Sequence, residues 1–259
     1  NTAITSAVST QVIDHRTASE NIQLLSHNAS PGNSGTGGAI GSVSKLVPTG
    51  TGTVVFSAND ATRYGNAGAA FGDGATTVSD LFLVNAASGQ IQLVTHGYQS
   101  QQASAGAAAT LGDVSANGRY VVFSTSAAAS FGNGGSAFKD TSTTTSGSFS
   151  DLLVFDQTDG SLKLATGINA TTTNSSNAGF SGITSNNQYL IYTSTHPGQI
   201  ANFTGTTGIN NVLAYELSTG TQFLISHAAT SATTSANEKT GNVTSVSYTH
   251  LTLPTSDLV

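Results

Sequence analysis

The chain has 259 residues, which is enough for one large domain or two ordinary ones. Its net charge is −6 and its seven basic residues stand singly, so the composition excludes the basic stripe that a nucleic-acid surface needs. Cysteine is absent, which excludes disulfides and thiolate metal sites, and no apolar run approaches the length needed to span a membrane.

Gly, Ser, Thr and Ala crowd the sequence, whereas only 8% of the residues are charged and 37% are hydrophobic. Ser, Thr and Gly weaken helices, so this composition favours strands joined by long polar connections. A cysteine-free, lysine-poor chain of this kind is typical of secreted or surface proteins of bacteria. We therefore expect an extracellular, cell-surface or periplasmic location.

Internal repeats run along the chain and define its predicted elements. The segment QVIDHRTASENIQLLSH at 11–27 opens one series, which continues with SDLFLVNAASGQIQLVTH, SDLLVFDQTDGSLKLATG and NNVLAYELSTGTQFLISH. A second series precedes the last three of these segments, with VSKLVPTGTGTVVFSAND, VSANGRYVVFSTSA and TSNNQYLIYTSTH. Gly89, Gly160 and Gly220 coincide when the first series is aligned.

Each full unit is predicted to contain four strands, A to D. A tight turn joins A to B, and Asn117-Gly118 predicts a type I′ hairpin turn, in which both central residues have positive φ. Strands B and C, such as Tyr120 to Phe123 and Leu152 to Phe155, are apolar throughout, which predicts cover on both faces. Strand D alternates, as in Leu162 to Leu164, and is predicted to lie at the exposed edge.

Repeated four-stranded antiparallel units with covered inner strands predict an all-β fold, a fragment of a β-propeller with its blades in an open arc. About three full blades and one partial blade are expected, at residues 40–96, 110–167, 180–227 and 11–27 respectively. Residues 241–245 match the start of another strand A, so the propeller is expected to cover residues 1–245. The structural alternative is a β-solenoid, whose repeats are shorter and lack paired hairpin turns.

The segment SANGRYVVFSTS followed by DLLVFDQTDGSLKLAT resembles the WD40-like repeat of TolB-type propellers. That repeat runs roughly Ser-x-Asp-Gly-Lys/Arg, a Φ-Ala-Phe strand, then an Ile-Tyr-Val-x-Asp strand and a turn into Leu-Thr. The resemblance covers three units, about residues 40–227, with Asn117 in the place of the usual Asp and different turns in the first and third units. It implies a bacterial propeller that serves as an interaction module, and it names no ligand.

Loop length varies most between strands B and C. In a four-stranded meander, the B–C and D–A connections leave on one face, which we call the long-loop face, and the tight A–B and C–D turns leave on the other. Binding sites concentrate on loops that a rigid scaffold holds, so we expect a protein or glycan partner on the long-loop face. The alternative is that the loops are tolerated surface insertions without a ligand.

Histidines recur just after strand D. His27, His96 and His227 share this position, and Gly167 replaces them in the remaining unit. A metal or catalytic site needs side chains that converge, whereas equivalent positions on successive blades are spread around a ring. We therefore expect these histidines to have a structural role.

Four acidic residues lie in the B–C loops or at the start of strand C, namely Asp73, Asp80, Asp140 and Asp151. Asp80 and Asp151 open strand C, where we expect them to cap loops by accepting backbone N–H bonds. Flexible, oxygen-rich loops also suit Ca²⁺, so calcium binding at these four residues is the alternative. The EF-hand spacing and the Gly-Gly-x-Gly-x-Asp nonapeptide are both absent, and no other metal or cofactor is expected.

Signatures of enzymes are missing from the sequence. GNSGTGG lacks the G-x-S-x-G spacing of a nucleophile elbow, and the Gly-rich stretches do not lead from a strand into a helix as a phosphate cradle does. No carboxylate pair stands out for glycoside hydrolysis. We favour a non-enzymatic interaction module, and the alternative is the propeller part of a secreted peptidase or glycan-active enzyme whose catalytic residues lie across blades or outside this chain.

The last segment, VSYTHLTLPTSDLV at 246–259, departs from every repeat. It resembles a translated sequencing adapter, the transposase end used in library preparation, which in one frame encodes Val-Ser-Tyr-Thr-His-Leu-Thr-Leu-Pro-Thr. That decapeptide matches residues 246–255 in full. We therefore expect a non-native tail at 246–259 and exclude it from functional inference.

An open arc would leave apolar blade faces bare at its two ends, so the chain by itself is expected to self-associate or aggregate. Light scattering coupled to size-exclusion chromatography measures the mass of the species that forms. A monodisperse monomer would contradict this expectation.

Overall fold

The computed structural model describes residues 13–16, 21–29, 42–47, 52–75, 77–140, 150–173, 178–195, 200, 202–205 and 208–236. For β1–β3, defined below, the description is of backbone pairing, with Leu24 the one side chain included. The predicted start of a further blade at 241–245 and the tail at 246–259 lie outside these residues. Within the described part of the chain, no helix is long and apolar enough to cross a membrane.

Strands dominate the fold and form one hairpin followed by three four-stranded antiparallel sheets. The hairpin pairs β1 (Ile13–Arg16) with β2 (Asn21–Leu24). The first blade contains β3 (Ser42–Val47), β4 (Thr53–Ala58), β7 (Asp80–Asn85) and β8 (Gln90–Leu93). The second contains β11 (Thr110–Val114), β12 (Tyr120–Thr125), β15 (Asp151–Asp156) and β16 (Ser161–Leu164). The third contains β17 (Ala178–Ile183), β18 (Tyr189–Ser194), β19 (Asn211–Glu216) and β20 (Gln222–Leu224).

Strand order within each blade follows the chain, A-B-C-D, as the repeats predict. In the second blade, Phe123 of strand B lies opposite Leu153 of strand C, and Phe155 of strand C lies opposite Leu162 of strand D. Strand D ends every sheet, because it has a paired neighbour on one side alone. The all-β architecture of four-stranded blades, a β-propeller fragment, is therefore confirmed.

The core lies between blades, because each sheet sends alternate side chains to its two faces. One apolar cluster joins the first blade to the second and includes Val55, Leu83, Phe123 and Phe155. Another joins the other face of the second blade to the third blade. A third cluster packs Leu25, which follows the N-terminal hairpin, against the first blade. Each blade is thus held by its neighbours along the chain.

Cover on both faces, predicted for strands B and C, is present in the first two blades. In the third blade the prediction is wrong for strand B, because β18 alternates between buried and half-buried side chains. Ile225 shows the cause, since it is 53% exposed whereas the equivalent Val94 and Ala165 are fully buried against a following blade. The described residues supply no further sheet against this face of the third blade.

The A–B turn differs from the predicted type I′ geometry. Gly118 has φ +75, but Asn117 is not among the described residues with positive φ. The Gly118 N–H donates to the Ser115 carbonyl, and the Asn117 side chain accepts from Arg119 N–H, so the loop is longer than a two-residue turn. The Asn side chain closes the turn through its own hydrogen bond, and a single left-handed residue then suffices.

The C–D turns repeat closely. Gly89, Gly160 and Gly220 have φ of +70, +68 and +80, and each N–H donates to the carbonyl of the residue four positions earlier. This left-handed conformation costs little only for glycine. The coincidence of glycines in the aligned repeats therefore has a backbone cause.

Short elements inside the loops are absent from the sequence-based prediction. The B–C loops of the first two blades each contain a 3-10 helix, Ala61–Arg63 or Ala128–Ser130. Each loop then forms a small hairpin, with β5 (Gly65–Asn66) and β6 (Ala69–Ala70) in one and β13 (Gly132–Asn133) and β14 (Ser136–Ala137) in the other. After strand D come β9 (His96–Gly97) with β10 (Ser100–Ser104), and β21 (His227–Ala228) with β22 (Ser231–Ser235).

These B–C hairpins cover part of the outer edge of strand D. The side chain of Asn133 donates to the Leu162 carbonyl at 2.7 Å and accepts from the Leu162 N–H at 2.8 Å. Asn66 makes the same pair of bonds with Ile91. An amide side chain thereby replaces a neighbouring strand and satisfies backbone groups that an open edge would leave unpaired.

Replacing Asn133 by Ala removes both of these hydrogen bonds, so we expect the free energy of unfolding to fall by about 1–3 kcal/mol. Denaturant unfolding followed by circular dichroism measures the change. Ser136→Ala is the control, because Ser136 is exposed in the same hairpin and its variant should match the wild type. Equal stability of the Asn133 variant and the wild type would show that the amide does not hold this edge.

Candidate functional site

The long B–C and D–A loops are joined to each other in every blade. In the first blade, Gly72 N–H donates to the Gln102 carbonyl at 2.7 Å, and Ser104 N–H donates to the Gly72 carbonyl at 2.9 Å. The same pair of bonds links Lys139 to the 171–173 segment of the second blade. Thr204 of the third blade makes it with the 233–235 segment. Parallel bridges at these three places hold the two loops of each blade together as one surface.

A buried polar group lies beneath these loops at the start of strand C. The Oδ1 atom of Asp80 accepts from the Thr95 hydroxyl at 2.7 Å and from the Ser104 hydroxyl at 2.7 Å. Thr95 follows strand D and Ser104 ends β10, so the carboxyl ties the D–A loop to the sheet. Asp80 is fully buried. Its Oδ2 atom has no hydrogen-bond partner among the described residues.

The other blades repeat this arrangement with different chemistry. In the third blade, Asn211 Oδ1 accepts from the Ser235 hydroxyl at 2.7 Å and lies 3.5 Å from the Ser226 hydroxyl. In the second blade, Asp151 accepts from the Thr166 hydroxyl at 2.9 Å. A neutral amide therefore serves where the first two blades have an acid.

Burial changes the acid–base behaviour of the two carboxyls. Desolvation raises the pKa of Asp80 to about 6, against hydroxyl hydrogen bonds that lower it. Desolvation likewise raises the pKa of Asp151 to about 7. The carboxylates of Asp73 and Asp140 add repulsion to Asp80 and Asp151 respectively, although burial is the larger cause.

The four acidic residues singled out in the sequence thus lie as two pairs, one in each of the first two blades. Asp73 accepts from the N–H groups of Ala61 and Ala75, so it is the residue that caps the loop through backbone bonds. Asp80 and Asp151 instead accept from hydroxyls, unlike the expected backbone capping. No group of three or more acidic or histidine side chains with metal-binding geometry occurs in the described part of the chain. Calcium binding stays an untested prediction.

The histidines after strand D connect neighbouring blades. His27 Nε2 lies 2.6 Å from the Gly89 carbonyl, and His96 Nε2 lies 2.8 Å from the Gly160 carbonyl. Both imidazoles are buried, and each reaches the C–D turn of the blade that follows it. His227 is exposed in the third blade. These positions are spread along the arc and bring no histidines together.

A groove of about 670 Å³ opens between the second and third blades. Its walls come from the B–C hairpin of the second blade, strand β16, the loop at 167–171 and the C–D turn of the third blade. Lys163 crosses beneath it and donates to the carbonyls of Leu217 and Ser218 at 2.9 and 3.2 Å. Gln222 donates to the carbonyls of Ala165 and Gly167, so side chains of both blades fix the walls.

Sequence inspection missed the hydroxyl partners beneath the loops and the groove. The hydroxyl partners could have been found from their spacing in the sequence. Thr95, Thr166 and Ser226 each lie 15 positions after the first residue of strand C. The sequence indicates the groove more weakly, through Gly167, which replaces the histidine found at this position in the other repeats. Neither signal states what the side chains contact.

Because burial raises the pKa of Asp80 above its ordinary value of 3.8, its contribution to stability is fully present below that value and is lost as pH rises through about 6. We expect the free energy of unfolding to fall between pH 5 and 8, by about 1.5 kcal/mol from Asp80. Asp151, whose pKa is raised to about 7, adds a larger fall over the same range. Asp80→Asn should lessen this fall and unfold less readily than the wild type at pH 8. Denaturant unfolding at several pH values measures both effects.

Asp60→Asn is the matched control for this pH series. The hydroxyl of Thr62 and the Arg63 guanidinium lower the pKa of the half-buried Asp60 carboxyl, against an opposing effect of burial. Asp60 therefore stays ionised from pH 5 to 8, and its variant should keep the wild-type slope. A wild type whose stability is constant over this range would contradict the assigned protonation of Asp80.

No family model matches this chain, and no curated protein matches it significantly. The relation to TolB-type repeats therefore rests on the sequence resemblance alone, whereas the all-β blade architecture rests on the strand pairing described above.

Proposed function

We propose that this chain is a non-enzymatic β-propeller interaction module of a secreted or cell-surface bacterial protein. It binds a protein or glycan partner through the long-loop face. The observation that carries the proposal is the repeated pairing of B–C and D–A loops, which turns long polar segments into one supported surface in all three blades.

Support for the loops comes from beneath as well as from the side. The buried carboxyl of Asp80 and the amide of Asn211 anchor the D–A loops through Ser104 and Ser235. Loops held in this way lose little conformational entropy when a partner binds, which favours affinity. Tolerated insertions without a ligand need no such anchoring.

The chemistry of the surface favours an uncharged partner that forms hydrogen bonds. The β9–β10 hairpin presents Gln99, Ser100 and Gln102 to solvent, beside the half-buried ring of Tyr98. Amide and hydroxyl groups donate and accept, so they suit both peptide backbone and sugar hydroxyls. The low content of charged residues, 8%, leaves electrostatic attraction a small part of such binding.

An array of defined oligosaccharides and an array of purified extracellular proteins test this function with the intact chain as the probe. We expect selective binding to members of one array. The double variant Gln99→Lys, Gln102→Lys should weaken that binding at least tenfold, because it places two solvated cations among neutral hydrogen-bonding groups.

Gln90→Lys is the matched control, since Gln90 is an exposed glutamine beside the C–D turn of the first blade. This variant should bind as the wild type does. Binding lost in Gln90→Lys but kept in the double variant would place the site elsewhere. Hydrolysis of an arrayed glycan or protein by the purified chain would contradict the non-enzymatic assignment.

A further inference from the structure

Each pair of neighbouring blades has a space between strand D of one blade and the C–D turn of the next. Between the first and second blades, β10 fills this space. Strand β10 packs beside β8, and Gln101 at its exposed side reaches across to the second blade. The Gln101 side chain donates to the carbonyls of Asp159 and Gly160, both at 3.0 Å. His96 completes the contact through the same Gly160 carbonyl. An extended segment of the chain thus occupies this position.

Between the second and third blades, the equivalent space is the groove of about 670 Å³. The described part of the loop after β16, residues 165–173, forms a single antiparallel bridge between Asn169 and Thr172 in place of the longer β9–β10 hairpin. Gly167 stands where the first blade has His96. A side chain could not be added there without moving the backbone, since a Cβ on Gly167 would lie 2.2 Å from the Asn169 carbonyl oxygen. The space that β10 fills between the first and second blades is therefore open between the second and third blades.

We propose that this groove binds an extended peptide segment of a partner protein, which takes the place that β10 has between the first and second blades. The segment carries a glutamine or asparagine whose amide donates to the C–D turn of the third blade. It also carries an apolar side chain that covers Ile168. This inference concerns the groove between the second and third blades, which is a different site from the β9–β10 hairpin on which the proposed function is tested.

Unpaired backbone groups in the groove match such a segment. No described residue donates to the carbonyls of Thr219 or Gly220, the counterparts of those that Gln101 contacts. The outer edge of β16 is also open, because Asn133 pairs with Leu162 but nothing described pairs with the N–H and C=O of Leu164, which face the same way. A peptide in extended conformation supplies donors and acceptors to both.

Apolar groups of the groove favour a peptide over a sugar. Ile168 is 46% exposed at the groove although it is large and apolar. The aromatic rings of Phe138 and Tyr215 line the groove but are buried, so neither presents the open face on which a sugar ring stacks. An aliphatic side chain of a peptide, by contrast, would remove Ile168 from water.

The probe is the acetylated and amidated nonapeptide GYQSQQASA, which is the sequence of residues 97–105. This segment contains β10, which occupies the equivalent space between the first and second blades. Titration of the intact, isotopically labelled chain with this peptide, followed by NMR, gives the dissociation constant and the perturbed amides. We expect saturable binding with shifts at Leu164, Ile168 and Gly220. Replacing the glutamine that corresponds to Gln101 by alanine in the peptide should weaken binding at least fivefold.

Two matched pairs separate specific binding from general stickiness. In the peptide, alanine at the position of Gln99 should leave the affinity unchanged. In the protein, Ile168→Asp should weaken binding at least fivefold, whereas Ile225→Asp should not, because Ile225 is an isoleucine of similar exposure that does not line the groove. Melting midpoints of both variants, compared with the wild type, show that the exposed substitutions leave the fold intact.

Failure to saturate, or equal binding to Ile168→Asp and to the wild type, would overturn the peptide site. So would oligosaccharides that compete with the peptide and shift the same groove amides. None of these results bears on the β9–β10 hairpin of the first blade, whose variants at Gln99 and Gln102 are tested against separate arrays.

Discussion

Face-to-face packing of neighbouring sheets is the constraint on which this structure depends. A four-stranded sheet with apolar side chains on both faces cannot stand in water by itself, because burial of each large side chain contributes about 1.5–3 kcal/mol and exposure forfeits it. Phe123 and Phe155 of the second blade are removed from water by the first blade, and Tyr192 of the third by the second. The histidines add direction to this packing, since His27 and His96 each reach a turn carbonyl that only a correctly placed neighbour presents.

The loops depend on a second device, the buried polar group at the start of strand C. Asp80 and Asp151 accept hydroxyl hydrogen bonds from Thr95 and Thr166, which join the end of strand D to the start of strand C. Asn211 accepts one from Ser235 of the following loop. Burial of an ionised carboxylate is costly, so the pKa of each acid is raised, and the amide avoids the cost altogether. The hydrogen-bonded connection beneath the loops therefore depends on pH in the first two blades and does not depend on it in the third.

The blades differ from one another at positions where the sequence departs from the repeat. Gly167 in the place of a histidine accompanies a short D–A loop, and together they leave open a groove that His96 and Gln101 occupy one blade earlier. The side chain of Asn133 covers only part of the adjoining strand edge. Regular packing between sheets therefore coexists with an irregular rim, because the apolar faces carry the stability and the rim is free to vary.

The amino-acid sequence by itself determined the strands of the four-stranded blades, their order and their antiparallel pairing. Periodicity of apolar residues records which side chains must leave water, and the glycines at 89, 160 and 220 record the left-handed residue of each C–D turn. Only the tertiary structure decided the A–B turn, where side-chain bonds of Asn117 replaced the expected two-residue geometry. It also decided that the hydroxyls of Thr95 and Ser104 converge on Asp80. Contacts of this kind join segments that are distant along the chain. The pattern of residues within one segment carries no information about which side chains of another segment contact it.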